Sequence, residues 1–247
     1  MKVLVCISKV PDTTSKITFT DNNTRFNEDG VTFIMNPTDE WYALVRAIEV
    51  KEAQGGSVTV VNVGGANNDQ IIRKALAIGA DDAVRIDADP TDAYFVAAQI
   101  AEYAKSEGFD IVFTGKETID YNGSVMGGLL AEFLDLPYIS LVTKMDIAGT
   151  AATLEREVEG GKEILEANLP IVISANKDLA EQRIPNMRGI MGARKKPLNV
   201  LPAFGGITAP TSVVEYLAPV PRTEVKLVDA DNVAELARLL HEEAKVI

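Results

Sequence analysis

The sequence predicts an α/β fold in which a mostly parallel sheet carries helices on both faces, followed by an antiparallel hairpin and an extended C-terminal arm. Short apolar runs alternate with amphipathic stretches through the first half of the 247 residues, a pattern typical of parallel strands connected by helices. Hydrophobic residues make up 47% of the chain and charged residues 24%. The chain can therefore bury a full core without a metal or a disulfide.

Four apolar runs predict buried strands, at residues 3–8, 57–63, 83–88 and 111–115. Helices are predicted near residues 37–54, 67–78, 91–106 and 122–134. The first helix has the clearest start, because Asn36 suits the N-cap position and Pro37 the first helical position. Its apolar residues recur at helical spacing, and Gly55 with Gly56 predicts its end.

Two departures from this alternation are expected. Between the first strand and the first helix, β-like runs flank the turn-rich segment DNNTRFNEDG and predict a small hairpin-like excursion. Later, the runs 153–159 and 162–169 surround Gly160 and Gly161 and predict an antiparallel hairpin, after which residues 169–175 return to the sheet.

From Pro197 onward the sequence is rich in proline and glycine and predicts an extended arm. We therefore divide the chain into an α/β domain at 1–200 and a C-terminal arm at 201–247. The arm ends in a predicted helix at about 231–245, with Asp231 or Asn232 as its cap and Val233, Leu236 and Leu240 on its apolar face. This face packs either on a partner chain or back on its own domain, and the sequence leaves both open.

Charge and rare residues exclude several classes of function. The chain has 24 Lys plus Arg against 36 Asp plus Glu, a net charge of −12, which does not favour a nucleic-acid partner. The only histidine, His241, lies in the C-terminal helix, and the only cysteine, Cys6, lies in an apolar strand. Zinc ligation and nucleophilic catalysis thus have no candidate groups. The glycine-rich motif of nucleotide hydrolases is also missing, so we expect no catalytic residue and no metal.

Location and surface follow from similar arguments. No apolar stretch approaches the roughly 20 residues of a membrane span, so direct membrane insertion is not expected. A lone cysteine fits a reducing compartment, and the cytoplasm is the expected one. Glu155, Glu157 and Glu159 alternate along one predicted strand, and they predict a solvated acidic face more strongly than a pair of catalytic carboxylates.

Three junctions between a strand and the following helix predict a ligand site. They lie at Asn36, at residues 63–69 and at residues 115–128, and they are glycine-rich or well capped. In a parallel sheet, ligands bind beyond the carboxyl ends of the strands, where helix N-termini attract anions. Gly123 and Ser124 stand beside one expected N-terminus. The sequence thus favours a Rossmann-like site for a nucleotide that is bound and not transformed, over loops that only serve the structure.

Residues 183–198, RIPNMRGIMGARKKPL, gather cations in an otherwise acidic chain. The cations are Arg183, Arg188, Arg194, Lys195 and Lys196, with no acid among them. Met187, Ile190 and Met191 would be costly apolar groups in a solvated loop. The segment therefore predicts docking of an acidic or apolar partner, with a solvated loop of chance basic composition as the alternative.

Several separate motifs occur in order along the chain: LVCISKVPD, MNPTDEWYALVRAIEVKE, IRKALAIGADDAVRI, GKETIDYNG, LEREVEGGKEILEANLP and ANKDLAEQRIPNMRGIMGARKKPL. Together they resemble the beta subunit of the electron transfer flavoproteins over essentially the whole chain. The resemblance implies a heterodimer in which the alpha subunit holds most of one FAD and this chain buries an AMP. It also implies an electron carrier without substrate turnover of its own, which serves acyl-CoA or related dehydrogenases of fatty acid beta-oxidation and a membrane quinone reductase leading to the respiratory chain.

The resemblance also implies site residues. The AMP-type pocket would be lined by Cys6, Asn36, Pro37, Thr38, Asp39, Val63, Gly115, Lys116, Asp120, Tyr121, Asn122, Gly123, Ser124, Val125 and Met126. The segment that docks dehydrogenases would comprise Arg183, Ile184, Pro185, Asn186, Met187, Arg188, Gly189, Ile190, Met191 and Gly192, with Met187 inserting into the partner and Ile184 and Met191 flanking it. Glu157 matches a hairpin glutamate that biases the swinging flavin domain of the family.

The chain departs from the family after Asp120, where well-known members continue with further Asp, then Gln and Thr or Val, and this chain has Tyr121 to Met126. Such a loop suits AMP or a differently held dinucleotide. Thr13 stands where some members place an aromatic residue over the flavin. Two alternatives therefore stay open: an electron-bifurcating subunit with a second FAD in place of AMP, and a stand-alone adenine-nucleotide sensor.

Overall fold

The computed structural model describes residues 1–221 and 224–247, so Arg222 and Thr223 of the predicted arm lie outside the described residues. The strands are β1 (Lys2–Cys6), β2 (Lys9–Pro11), β3 (Phe19–Thr20), β4 (Arg25–Phe26), β5 (Phe33–Met35), β6 (Ser57–Val63), β7 (Asp82–Asp87), β8 (Ile111–Gly115), β9 (Tyr138–Ala148), β10 (Ala151–Val158), β11 (Gly161–Asn168), β12 (Ile171–Ala175) and β13 (Leu198–Pro202). The helices are α1 (Asp39–Gln54), α2 (Asp69–Ile78), α3 (Ala93–Glu107), α4 (Met126–Leu134), α5 (Met187–Ala193) and α6 (Val233–Arg238), with a 3-10 turn at Ala66–Asn68 and a π-helical turn at Leu239–Ala244.

The main sheet confirms the predicted α/β fold. Within the described residues it has nine strands in the order β11-β10-β9-β12-β8-β1-β6-β7-β13. All neighbours from β9 to β13 in this order run parallel, while β9, β10 and β11 form an antiparallel meander at one edge. The predicted hairpin is the β10–β11 pair, and the return strand is β12.

Helices cover both faces of the sheet because strand side chains alternate between the faces. Val3 and Val5 of β1 pack with α1 and α2 on one face. Leu4 and Cys6 of the same strand pack with α3 and α4 on the other. The excursion before α1 is also confirmed, since β3 pairs with β4 and β2 pairs with β5, both antiparallel.

All four helices predicted in the α/β body begin later than predicted, and the starts of α1 and α4 bear on the candidate site. Helix α1 begins at Asp39 with Thr38 at the N-cap position, so the assignment of Asn36 as N-cap and Pro37 as first helical residue is wrong. The Asn36 side chain instead forms hydrogen bonds with the backbone of the loop between β8 and α4. Helix α4 begins at Met126 and not near Asn122, because Asn122 and Ser124 have φ angles of 49° and 53°, which belong to the left-handed region and not to a right-handed helix.

The interpretation of everything after Pro197 as an arm missed β13. This strand pairs in parallel with β7 at the edge of the sheet, and it runs across the division placed at residue 200. Pro202 is tolerated there because an edge strand needs hydrogen bonds on only one side.

The predicted C-terminal helix is present, and Asn232 caps it by accepting a hydrogen bond from the Glu235 amide at 3.1 Å. Leu239 is buried, whereas Val233 and Leu236 of the predicted apolar face are exposed. The face is thus only partly covered. Among the residues described here, no helix has the length and apolar character needed to cross a membrane.

Candidate functional site

Strand order brings three predicted site residues to one edge of the sheet. Strands β8, β1 and β6 are neighbours and parallel, so their carboxyl ends place Gly115, Cys6 and Val63 together at the rim. Cys6 and Val63 are both buried. Burial, aided by the nearby Glu40 carboxyl, raises the pKa of the Cys6 thiol far above its usual range. Cys6 is therefore a neutral thiol that forms part of an apolar wall, without the reactivity of a thiolate.

Asn36 fastens the start of α1 to the long loop between β8 and α4. Its side-chain amide donates to the Glu117 carbonyl at 2.9 Å and accepts from the Ile119 amide at 3.2 Å. Gly115 lies against the same helix start, where an added Cβ atom would come within 2.9 Å of the Glu40 Cγ and 3.1 Å of its backbone nitrogen. A glycine at 115 thus permits strand β8 to end beside the buried Asp39.

The helix starts at the three predicted junctions share one property. Within the described residues, no side chain caps the first turn of α1, α2 or α4. Helix α3 follows β7 at the same rim but is capped, because Asp92 accepts a hydrogen bond from the Phe95 amide at 2.8 Å. Uncapped first-turn N–H groups and the helix dipole favour an anionic ligand. The junctions predicted to meet a phosphate are thus the ones without a side-chain cap.

The loop between β8 and α4 carries polar groups beside the α4 start. The Ser124 hydroxyl donates to the Glu117 carboxylate at 3.0 Å, and the Lys116 ammonium lies 3.1 Å from the same carboxylate. Asp120 accepts a hydrogen bond from the Tyr121 amide at 2.9 Å. Gly123 and Val125 are exposed, and Met126 packs against the core below α4. The Lys116 ammonium and the Ser124 hydroxyl form a set of donors that suits a phosphate group.

The C-terminal arm reaches the same loop through Tyr216. Its hydroxyl lies 3.0 Å from the Tyr121 hydroxyl, and its ring stacks on Phe19 with centroids 4.7 Å apart. The Tyr216 amide also donates to the Asn23 carbonyl at 2.7 Å. Tyr121, at the position where the loop departs from the family pattern, is therefore held by the arm and lies outside the core.

Glu40 is a rim residue that the sequence interpretation missed. Its carboxyl group is 4% exposed and accepts hydrogen bonds from the Ser8 amide at 2.6 Å and the Ser8 hydroxyl at 2.7 Å. Burial raises its pKa to about 8. The segment TDEWY contained a signal for a buried acid, since a second first-turn acid lies beside the inward-facing Trp41. The same pattern is equally typical of an exposed helix start.

Of the three glutamates predicted to form a solvated face, Glu157 and Glu159 are exposed, whereas Glu155 is half-buried. Glu155 forms ion pairs with Lys144 at 3.3 Å and Lys162 at 3.8 Å. Glu157 is exposed and lies opposite Lys162 in the register of β10 and β11, whereas Glu159 lies in the turn beyond β10. Glu155 and Glu157 line a groove of about 380 Å³ beside α1. Glu157 is thus placed on an accessible surface.

The segment 183–192 presents apolar side chains to solvent. Ile184 is 83% exposed, Met187 72% and Met191 68%. Met187 begins the short helix α5, which Asn186 caps by accepting a hydrogen bond from the Gly189 amide at 2.9 Å. Neighbouring Arg188 is exposed as well. Local helix formation, and not burial, therefore sets the position of these apolar groups.

The base of this segment is fixed to the α/β body. The Trp41 indole donates to the Arg183 carbonyl at 3.1 Å, and the Arg183 guanidinium binds the Glu52 carboxylate in a bidentate pair at 2.8 and 2.9 Å. Arg73 donates to the carbonyls of Ala193 and Lys196 at 2.8 and 2.7 Å. The Arg183 charge is thus paired within its own chain. The segment is an exposed apolar surface whose base is fixed to the α/β body.

Two glycines of α5 provide a matched test of how closely α5 packs on α2. At Gly189 an added Cβ atom would lie 2.4 Å from the Ala77 carbonyl oxygen of α2, whereas at Gly192 nothing lies within 4 Å. We expect Gly189→Ala to destabilise the chain by about 1–3 kcal/mol through overpacking. Gly192→Ala should be neutral or stabilising by up to about 1 kcal/mol, because alanine favours helix. Chemical denaturation measures both, and equal effects would contradict a close seat of α5 on α2.

Comparisons with known proteins identify the family of this chain. The family profile described as Electron transfer flavoprotein domain matches residues 24–203. The Electron transfer flavoprotein subunit beta of Bacillus subtilis (strain 168) is 36% identical over 260 aligned residues, covering 100% of both chains. The protein of the same name from Syntrophomonas wolfei is 34% identical, covering 100% of this chain and 98% of its own, and the one from Homo sapiens is 34% identical, covering 97% and 98%. The chain therefore belongs to the electron transfer flavoprotein family, as one of its beta subunits.

Proposed function

We propose that this chain buries an AMP at the rim formed by β8, β1 and β6, and that it supports an alpha subunit holding most of one FAD. The observation that carries the proposal is the convergence of uncapped helix starts and phosphate-binding donors at that rim. AMP has no redox chemistry, so its role would be to stabilise the fold by filling the rim.

The residues at the rim fit an adenylate group. Lys116 and Ser124 supply an ammonium and a hydroxyl group beside the α4 start, as a phosphate requires. Cys6 and Val63 supply buried apolar surface, which suits an adenine ring. A second FAD contains the same adenylate group, so these residues can hold either ligand.

An alpha subunit partner is supported by the arm. Beyond β13 it carries large apolar side chains that are almost fully exposed: Val214, Leu217, Val220, Val225 and Leu227. Such a surface marks a protein interface. We also propose that the α/β domain ends near residue 200, that the arm packs on the partner, and that the dimer works in the cytoplasm, where the buried Cys6 stays reduced.

The exposed segment 183–192 supports the rest of the proposal. FAD, held mostly by the alpha subunit, would supply the electron-transfer chemistry between acyl-CoA or related dehydrogenases and a membrane quinone reductase. This chain supplies the docking surface for the dehydrogenase through Met187 and its neighbours, and Glu157 on the hairpin would contact the moving flavin domain. A fixed base with four exposed apolar side chains suits a brief encounter with several partners.

Identification of the small molecules released by denaturation tests this function. The chain is co-purified with its alpha subunit, and the released nucleotides are separated and quantified against protein. We expect one FAD and one AMP per heterodimer. Two FAD per heterodimer would overturn the AMP assignment in favour of a bifurcating subunit, and a stable, nucleotide-loaded monomer would overturn the requirement for a partner.

A further inference from the structure

Glu117 occupies the centre of the donor set in the loop between β8 and α4. One of its carboxylate oxygens accepts a hydrogen bond from the Ser124 hydroxyl at 3.0 Å, and the other lies 3.1 Å from the Lys116 ammonium. Hydrogen bonds from Lys116, then Ser124, and a smaller one from Asn122 hold the pKa of Glu117 below its usual range. The carboxylate is therefore an ionised group that these donors already satisfy.

A phosphate group would require the same donors. An ammonium, a hydroxyl and uncapped helix N–H groups are the chemistry that binds phosphate oxygens, and a carboxylate is an anion of similar hydrogen-bonding capacity. The loop backbone holds this arrangement through the left-handed conformations of Asn122 and Ser124, which are costly for non-glycine residues. The Glu117 side chain is about one quarter exposed, so solvent can receive it when it leaves.

We propose that Glu117 is an internal competitor for the phosphate group of the bound nucleotide, and that it thereby lowers and sets the affinity of the site. The inference rests on the proposed nucleotide-binding function. When a nucleotide binds, its phosphate takes over Lys116 and Ser124, and Glu117 turns to solvent. The residue makes no bond to the ligand and acts only through the donors it holds and through charge repulsion.

The test measures AMP binding by titration calorimetry, with the full chain in its heterodimer after removal of bound nucleotide. Glu117→Gln keeps the shape of the side chain but removes its charge and replaces one of its two acceptor oxygens with an NH2 donor. Because a surface charge contact has a modest energy, we expect this variant to bind AMP roughly 2- to 10-fold tighter than the unsubstituted chain. Glu117→Ala, a second variant, should also bind more tightly.

Ser124→Ala gives the opposite sign. It removes a donor that the phosphate would use, so AMP binding should become weaker. If Glu117 only maintained the shape of the loop, all three substitutions would weaken binding. Glu132→Gln, the same change at an exposed position of α4, is the control and should leave AMP affinity unchanged.

The outcomes separate the two proposals. Unchanged or weaker AMP binding by both Glu117 variants, in a dimer whose unsubstituted form binds AMP, would overturn the competitor role and leave the site standing. Absence of AMP binding by the unsubstituted dimer would overturn the AMP site itself, and the inference with it.

Discussion

If the proposed docking role is right, Met187→Asp is expected to weaken binding of the dehydrogenase by roughly 10- to 150-fold, which corresponds to the burial of one methionine side chain at about 1.5–3 kcal/mol. Met187 is 72% exposed at the start of α5, so most of its apolar surface is accessible to a partner protein. An aspartate there removes that surface and adds a charge that docking must desolvate. Stopped-flow electron transfer from an acyl-CoA dehydrogenase, the proposed partner, at several dimer concentrations, measures the loss.

The matched control is Ile164→Asp on β11. Ile164 is 68% exposed, so the substitution makes the same kind of change at a similar exposure but away from α5. Because Ile164 shares the hairpin face of Glu157, the control is the concentration dependence of electron transfer, which reports docking and should be unchanged. Flavin absorbance and nucleotide content should stay constant in both variants, since neither residue lies at the rim. Unaltered electron-transfer kinetics in Met187→Asp would remove Met187 from the docking role.

Local patterns in the sequence were sufficient for the body of the fold. The predicted strands at 57–63 and 111–115 coincide with β6 and β8, because buried parallel strands are continuous apolar runs that need no distant information. The β10–β11 hairpin was equally clear from its alternation around Gly160 and Gly161. In these elements, side-chain periodicity and tertiary packing favour the same structure.

Two of the wrong assignments have a common cause, which is pairing with residues far away in the chain. Asn36 is a good cap by type, but its amide is used by Glu117 and Ile119, and α1 starts three residues later. Strand β13 has weak alternation and contains a proline, and it forms because β7 offers an open edge. Neither partner can be identified from the neighbouring sequence.

The candidate site, too, could be predicted only in part from the sequence. Strand ends and glycine-rich loops identified the rim, since parallel strands place their carboxyl ends at one edge. Glu40, Glu117 and Tyr216 were missed as members of that rim. Their importance comes from a buried contact with Ser8, a shared donor set and a stacking contact with Phe19, and none of these is visible as spacing along the chain.

Glu40→Gln is expected to stabilise the chain at alkaline pH and to flatten its dependence on pH. Burial raises the pKa of Glu40 from 4.5 to about 8, so the folded state holds this proton more tightly than the unfolded state does. The resulting stabilisation is fully present below about pH 4.5 and is lost as the pH rises toward 8, at up to about 1.4 kcal/mol per pH unit. Glutamine is neutral throughout, and its amide can both accept from the Ser8 amide and donate to the Ser8 hydroxyl.

Urea denaturation at pH 5.5, 7 and 8.5 measures this effect, and Glu132→Gln controls for removal of an exposed carboxylate. We expect Glu40→Gln to gain about 1–3 kcal/mol over the unsubstituted chain at pH 8.5 and a clearly smaller amount at pH 5.5. A loss of stability at pH 8.5 would mean that the Ser8 hydrogen bonds outweigh burial and keep Glu40 charged. In that case the rim would carry an additional negative charge close to Asp39 and Asp120, which would lower the affinity of the proposed site for a phosphate.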